Sequence, residues 1–95
     1  MNIQIQSIHF TADKKLKEFI KRRIYKLINI DDSILKVEVF LKVDKPESYN
    51  NKIVEIKLNS SNQEYFAKKQ SDSFEASTDL VSQALRKQII KNKEK

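Results

Sequence analysis

Apolar residues follow two different periods along the chain, and these periods predict its secondary structure. Strict alternation of apolar and polar side chains, typical of a half-buried strand, is clearest over residues 34–43. Spacings of three and four residues, typical of one face of an amphipathic helix, occupy two longer segments. Together these patterns predict the order β-α-β-β-β-α. The strands are expected within about 2–10, 34–43, 52–58 and 63–69, and the helices at about 12–30 and 73–92. In the first segment, the break in alternation at Ile8 indicates a bulge or the end of the strand.

The same periods predict which side chains form the core. For the fourth strand the inward set stays open between Phe66 and the alternating pair Tyr65 and Ala67. The other strands are expected to direct inward Leu35, Val37, Val39, Leu41, Val43, Val54, Ile56 and Leu58. The helices are expected to direct inward Leu16, Phe19, Ile20, Ile24, Leu27, Ile28, Phe74, Thr78, Val81, Leu85 and Ile89.

Polar residues mark the ends of these elements. Thr11 is the expected N-cap of the first helix, and Asp72, followed three residues later by Glu75, is the expected N-cap of the second. The short connection between the last two strands is polar, Asn59–Asn62. The chain has no glycine, and asparagine is a residue that can take a positive φ in such a connection.

Two helices and a four-stranded sheet predict a two-layer α+β sandwich. A right-handed crossover from the first strand to the second places the first helix on one face of a mixed sheet. The second helix is expected on the same face, because the opposite face is polar. The fold therefore resembles a double-stranded-RNA-binding domain, with two helices side by side. At 95 residues, a single domain spanning 1–95 is expected.

The composition excludes most familiar enzyme classes. Without cysteine there are no disulfides, zinc-thiolate sites or cysteine nucleophiles, and without glycine there are no Walker loops or dinucleotide fingerprints. The single histidine, His9, excludes a multi-histidine metal site and is interpreted as structural. We therefore expect a protein that is not an enzyme and needs no cofactor or metal. The sequence shows no membrane span or secretory signal, so a cytoplasmic location is expected.

Positive charge is concentrated in two short segments. The chain has 19 basic and 13 acidic residues, a net charge of +6. Residues 14–26 carry a net charge of +6 and residues 86–95 carry +4, whereas the other 72 residues carry −4. Because a merely solvated surface mixes its signs more evenly, two basic segments on adjoining helices favour a polyanion site. RNA is expected rather than DNA, since no helix-turn-helix or zinc-finger pattern is present.

Arg23 differs from the other basic residues because a helical wheel places it inside the apolar arc of the first helix. Two interpretations stay open. Its stem can extend past the core to water, or its guanidinium can line a groove between the helices and bind phosphate with its bidentate fork. The candidate RNA-binding residues are Lys21, Arg22, Arg23, Lys26, Arg86, Lys87, Lys91, Lys93 and Lys95. The segment beyond Ile90 is expected to fray until RNA orders it.

The aromatic residues divide between core and surface. Those at periodic positions are expected in the core, and the others are candidates for exposed positions where bases could stack. The expected core set is Phe19, Phe66 and Phe74, and the expected exposed set is Tyr25, Phe40 and Tyr49.

Several motifs resemble the family of ribosome hibernation promoting factors and ribosome-associated inhibitor A. The resemblance covers the whole chain, including the basic helix at 16–23 and the strand at 37–43. The most specific stretch is 85–95, which is similar to the family's Leu-x-Arg-Gln-Leu-x-Lys-x-Lys tail, with Lys87 in the arginine position. Arg23 falls where the family carries a basic residue.

A second family motif departs from the usual pattern. The family opens its last helix with Asp-x-Tyr-x-Ala-Ile-Asp, and the corresponding segment here is Asp72–Asp79. Phenylalanine replaces the tyrosine, and one residue must be inserted to align the motif with the tail.

The resemblance implies a ribosome hibernation factor. Such proteins bind the small ribosomal subunit and its ribosomal RNA at the decoding region. They block the messenger RNA and transfer RNA sites and silence translation under stress and in stationary phase. A monomer in solution, with no membrane or DNA partner, is expected. The chain ends after the basic tail, so a short form without the C-terminal ribosome-dimerisation domain is expected.

Two alternatives stay open beside that implication. A generic double-stranded RNA-binding module has a similar sandwich, although it usually opens α-β-β-β. A basic amphipathic surface could instead serve acidic membranes or acidic proteins.

Overall fold

Six elements form in the order that the sequence predicts. The structure is a computed structural model that describes residues 2–45, 47 and 49–93. The elements are β1 Asn2–Ser7, α1 Lys14–Ile30, β2 Ile34–Val43, β3 Lys52–Ser60, β4 Glu64–Ser71 and α2 Phe74–Lys93. β1 ends just before Ile8, where the alternation breaks, and His9 has a φ of 67°, a left-handed conformation that a strand does not contain. Among the described residues only His9 has a positive φ, so neither asparagine of the hairpin adopts the left-handed conformation that is open to it.

The sheet is mixed, with the strand order β1-β2-β3-β4. β1 runs parallel to β2, to which it is connected through α1, whereas β3 runs antiparallel to both of its neighbours. Apolar side chains cross the sheet in a row at Ile5, Val39, Ile56 and Ala67, which are successive register partners. This row faces the helices and forms the sheet's contribution to the core.

Both helices cover the same face of the sheet, which confirms the predicted two-layer α+β sandwich. Fully buried side chains from α1, such as Ile24, and from α2, such as Leu85, join one cluster with the inward side chains of the strands. α2 packs against β3, β4 and α1. The helices therefore lie side by side and leave one shared surface. Neither helix, over the residues described, has the length and apolar character that crossing a membrane requires.

Each helix begins at a different cap from the one expected. Asp13, not Thr11, caps α1, because its Oδ1 accepts a hydrogen bond at 2.8 Å from the amide three residues later. Ser73, not Asp72, caps α2, because its Oγ accepts from the amide three residues later at 3.0 Å. A capping oxygen must reach a free amide of the first turn, and only the last non-helical residue is close enough.

A β-bulge at the start of β2 turns Leu35 away from the core. Ile34 pairs with Ser60 and Lys36 pairs with Asn59, so two steps along β2 match one step along β3. The extra residue is Leu35, which is 63% exposed, whereas Ile34 is buried. The prediction that Leu35 faces inward is therefore wrong, because the bulge interrupts the alternation at this point.

β4 directs Tyr65 and Ala67 into the core, which decides the register that the sequence left open. Both are buried, whereas Phe66 is 48% exposed on the outer face of the sheet. The expectation that Phe66 belongs to the core is wrong, since alternation allows only one of the two sets to face inward. Val43, the last residue of β2, is 40% exposed and also lies outside the core.

The other aromatic residues mostly lie where they were expected. Phe74 is buried and stacks on Phe10, with ring centroids 5.1 Å apart. Tyr25 and Tyr49 are exposed, and Phe40 is half-buried on the outer face of the sheet. The outer face therefore carries some apolar surface among its charged side chains.

Candidate nucleic-acid interface

A groove of about 410 Å³ lies between α1 and α2. On both helices the residues that line the groove follow the spacing i, i+3, i+4 and i+7. Residues at this spacing share one face of a helix. α1 contributes Arg23, Lys26, Leu27 and Ile30, together with Asn29, and α2 contributes Asp79, Ser82, Gln83 and Arg86. Three of these side chains are cationic and one is acidic, so the groove carries an excess of two positive charges. We call it the interhelical groove.

Arg23 lines this groove and is fixed in place by two contacts. Its Nε donates a hydrogen bond to Oδ1 of Asp79 at 2.6 Å, which joins the two helices. Its Cζ lies 4.4 Å from the ring centroid of Phe19, a cation–π contact. Phe19, which was expected in the core, is half-buried beneath this guanidinium. Of the two interpretations left open for Arg23, the structure favours the groove.

Lys26 and Arg86 reach the groove from opposite helices. Both are exposed, and neither forms an ion pair within residues 2–45, 47 and 49–93. Cations that no carboxylate neutralises produce a positive potential in a cleft, which attracts phosphate. The interhelical groove therefore has the charge that a polyanion site requires.

Two further predicted residues extend the rim of the groove. Arg22 lies one turn before Lys26 on α1, and Lys87 lies one turn after Gln83 on α2. Both side chains are exposed. They widen the cationic surface beyond the groove itself.

Lys21 and Lys91 do not join the groove. Lys21 is exposed on α1 at roughly 160° around the helix from Arg23, as the spacing of 3.6 residues per turn requires. Lys91 lies on the other side of α2, where it lines a second depression beside β4. The structure therefore places these two candidate residues outside the interhelical groove.

The C-terminal end of α2 is anchored rather than frayed. The helix continues to Lys93, whose Nζ donates a hydrogen bond to the carbonyl oxygen of Ile30 at the end of α1. Asn92 Nδ2 donates to the hydroxyl of Tyr65 at 3.0 Å. The expectation of a frayed segment directly after Ile90 is therefore wrong. Lys95, the last predicted site residue, lies outside the described residues.

The second depression, of about 270 Å³, lies where α2 packs against β4. Gln88 Nε2 donates to the carbonyl oxygen of Phe66 at 2.9 Å, beside the bond between Asn92 and Tyr65. Burial raises the pKa of Tyr65, and the charge of Asp31 adds to the effect, while the bond from Asn92 opposes it. The hydrogen bonds of Gln88 and Asn92 hold the end of α2 on the sheet.

Asp79 and Ser82 line the groove, although neither is among the residues predicted for the site. Asp79 appears in the sequence only as the end of a family motif, and Ser82 lies between buried positions of α2. Ser82 Oγ is buried and has no hydrogen-bond partner among the described residues. The signal that could have found both is the series 79, 82, 83 and 86, which repeats the spacing of 23, 26, 27 and 30 on α1.

The fold and the groove define a small α+β protein with a cationic surface on its helix layer. Among solved structures, a ribosomal subunit interface protein from Coxiella burnetii matches with a TM-score of 0.89 and 22% identity, over 100% of both chains. The N-terminal domain of Thermus thermophilus Protein Y matches with a TM-score of 0.80 and 16% identity, over 94% of this chain and 96% of that chain. At these identities the likeness shows the fold. No curated protein sequence gives a significant match.

Residues 3–95 match the family model described as sigma 54 modulation protein / S30EA ribosomal protein. The match covers almost the whole chain, and the chain belongs to this family. The predicted membership in the hibernation promoting factor family is thereby confirmed. The members of this family are ribosome-binding factors and are not known as enzymes. Membership therefore assigns this chain a ribosome-associated role in translation regulation.

Proposed function

We propose that this chain is a ribosome hibernation factor that binds the small ribosomal subunit at the decoding region. It contacts ribosomal RNA through the interhelical groove and blocks the sites of messenger RNA and transfer RNA. Translation stops under stress and in stationary phase because the blocked subunit cannot accept either ligand. Residues 1–95 act as the ribosome-binding domain, as a monomer in the cytoplasm.

The observation that supports the proposal is the cluster of cations in the interhelical groove. Arg23, Lys26 and Arg86 converge there from two helices, and the last two have no carboxylate partner in the described chain. A guanidinium binds phosphate in a bidentate fork, Lys26 adds a compact charge, and these phosphate contacts release condensed counterions from RNA. Phosphate contacts of this kind position a protein on RNA.

The outer face of the sheet gives a contrast within the same molecule. Three of its lysines are paired with glutamates: Lys36 with Glu38 at 3.6 Å, Lys42 with Glu55 at 2.7 Å, and Lys57 with Glu64 at 3.6 Å. The sheet face therefore neutralises much of its own charge, whereas the groove keeps an excess. This asymmetry favours an orientation in which the helix layer faces the ribosomal RNA.

Competition binding with purified small subunits tests the proposal. The full chain is expected to bind small subunits, to be displaced by messenger RNA and transfer RNA together, and to inhibit translation in a purified system. A generic RNA-binding module would instead bind any RNA duplex equally well, and a membrane-binding surface would prefer anionic vesicles. Either result would contradict the proposal.

Matched double variants show whether the groove is responsible. Lys26→Gln with Arg86→Gln removes two positive charges from the groove. Lys68→Gln with Lys69→Gln removes two charges from exposed positions on β4. The groove variant is expected to lose most of the binding and the β4 variant little. Equal losses in the two variants would mean that net charge, not the groove, governs binding.

A further inference from the structure

Among the described residues that line the interhelical groove, one is a carboxylate, Asp79, and charge alone does not explain its presence. The other charged side chains of the groove are cations. A carboxylate at this position repels phosphate and lowers the positive potential of the site. Asp79 nevertheless lies against Arg23, with 2.6 Å between its Oδ1 and the arginine Nε. Its effect on binding therefore depends on what it does to Arg23.

Arg23 is held along one edge and one face, which leaves a second edge for a ligand. Asp79 accepts from Nε, and the ring of Phe19 lies under the guanidinium plane. In the described part of the chain, the two terminal nitrogens Nη1 and Nη2 make no hydrogen bond. The donors of a guanidinium form a rigid fork, so fixing Nε also fixes the direction of the Nη edge.

We propose that Asp79 is a positioning residue, which holds Arg23 so that its Nη edge receives an RNA phosphate in the interhelical groove. Lys26 and Arg86 then supply the flanking charges. This inference rests on the proposed function, because it requires RNA as the ligand. A side chain that is already ordered loses little conformational freedom when it binds. Asp79 therefore strengthens binding although its own charge opposes it.

Charge and positioning predict opposite effects for one substitution. Asp79→Ala changes the net charge from +6 to +7, so charge alone predicts tighter binding of every RNA. Loss of positioning predicts weaker binding where Arg23 contacts a defined phosphate. Glu18→Ala makes the same change of net charge on the exposed face of α1, where Glu18 has no ion-pair partner among the described residues. It is the matched control.

The test measures equilibrium binding of the full chain to purified small subunits and to a single-stranded RNA of unrelated sequence, at one salt concentration. Asp79→Ala is expected to bind subunits roughly twofold to tenfold more weakly than wild type, the cost of ordering one arginine. It is expected to bind the unrelated RNA more tightly. Glu18→Ala is expected to bind both slightly more tightly. In an Arg23→Ala background, Asp79→Ala is expected to cause no further loss.

The outcomes separate the inference from the proposed function. Asp79→Ala binding subunits as tightly as Glu18→Ala overturns the positioning role and leaves the proposed function intact. A wild-type chain that does not bind small subunits overturns the proposed function and this inference with it. The Asp79 side chain is 44% exposed, so the variant is expected to fold, which circular dichroism checks. If it does not fold, Asp79→Leu, which has a similar size but no hydrogen-bond acceptor, is measured against the same control.

Discussion

Replacing Arg23 by alanine affects both stability and binding, and the structure gives a magnitude for each. The ion pair with Asp79 is 30% and 44% exposed on its two sides, so it contributes about 0–1 kcal/mol to stability. The cation–π contact with Phe19 contributes about 0.5–1 kcal/mol at such a site. We therefore expect Arg23→Ala to lose about 1 kcal/mol of stability, which lowers the melting temperature of a domain of this size by about 4–8 °C.

The loss of binding is expected to be larger than the loss of stability. A hydrogen bond to a charged group contributes about 1.5–3 kcal/mol, and the Nη edge of Arg23, which bonds to none of the described residues, can form a bidentate pair. Arg23→Ala is therefore expected to weaken binding to small subunits by roughly tenfold to 150-fold. Arg23→Lys keeps the charge but loses the fork, the stacking and the Nε contact, so it is expected to lose most of the same affinity.

The assay is equilibrium binding of fluorescently labelled protein to purified small subunits, at a temperature at which circular dichroism shows every variant to be folded. Two results would refute the reasoning. If Arg23→Lys binds as tightly as wild type, only charge at this position matters and the fork does not. If Arg23→Ala binds as tightly as wild type but melts much earlier, Arg23 is purely structural.

Three further predictions follow from the charge and packing of the molecule. If binding neutralises roughly five phosphates, log K is expected to fall with log salt concentration at a slope of about −3.5 to −4.5, and a slope near zero in a salt titration would exclude phosphate contacts as the source of affinity. Cutting the chain after Ile90 removes the bond from Asn92 to Tyr65 along with three lysines, so both melting temperature and ribosome binding are expected to fall; an unchanged melting temperature would show that this contact does not anchor α2. Burial raises the pKa of Tyr65 above 10.0, so at high pH the folded state keeps a phenol proton that the unfolded chain loses. The contribution of Tyr65 to stability is therefore full below pH 10.0 and falls as the pH rises. The difference in unfolding free energy between wild type and Tyr65→Phe should therefore shrink above that pH, and a constant difference in urea titrations would contradict it.

Element order and most of the core could be predicted from the sequence because alternation and the helical period are local properties. The inward side chains of β3 and the buried stripe of both helices follow directly from them. Leu35 could not be placed correctly, because the bulge depends on pairing between β2 and β3. The predicted helix caps lie one or two residues before the observed ones for a similar reason. Several polar residues precede each helix, and only the backbone decides which of them reaches the free amide.

The candidate site shows the same division between local and long-range information. Arg23, Lys26 and Arg86 could be placed on adjoining surfaces, because each helix has one apolar face and both faces cover the same side of the sheet. The contact of Arg23 with Asp79 joins residues 56 positions apart, so no spacing within one helix contains it. Lys91 belongs to the same charge run as Arg86, but helical geometry directs it toward β4 and not into the groove.

Directed hydroxyl-radical probing of the small subunit tests most directly whether the helix layer faces ribosomal RNA. The natural chain has no cysteine, so one introduced cysteine gives a unique attachment point for an iron chelate. Gln83→Cys places the probe at the interhelical groove, and Lys68→Cys places it on β4 away from the groove. We expect strong cleavage of decoding-region RNA from position 83 and weak cleavage from position 68. Equal or stronger cleavage from position 68 would contradict the proposed interface.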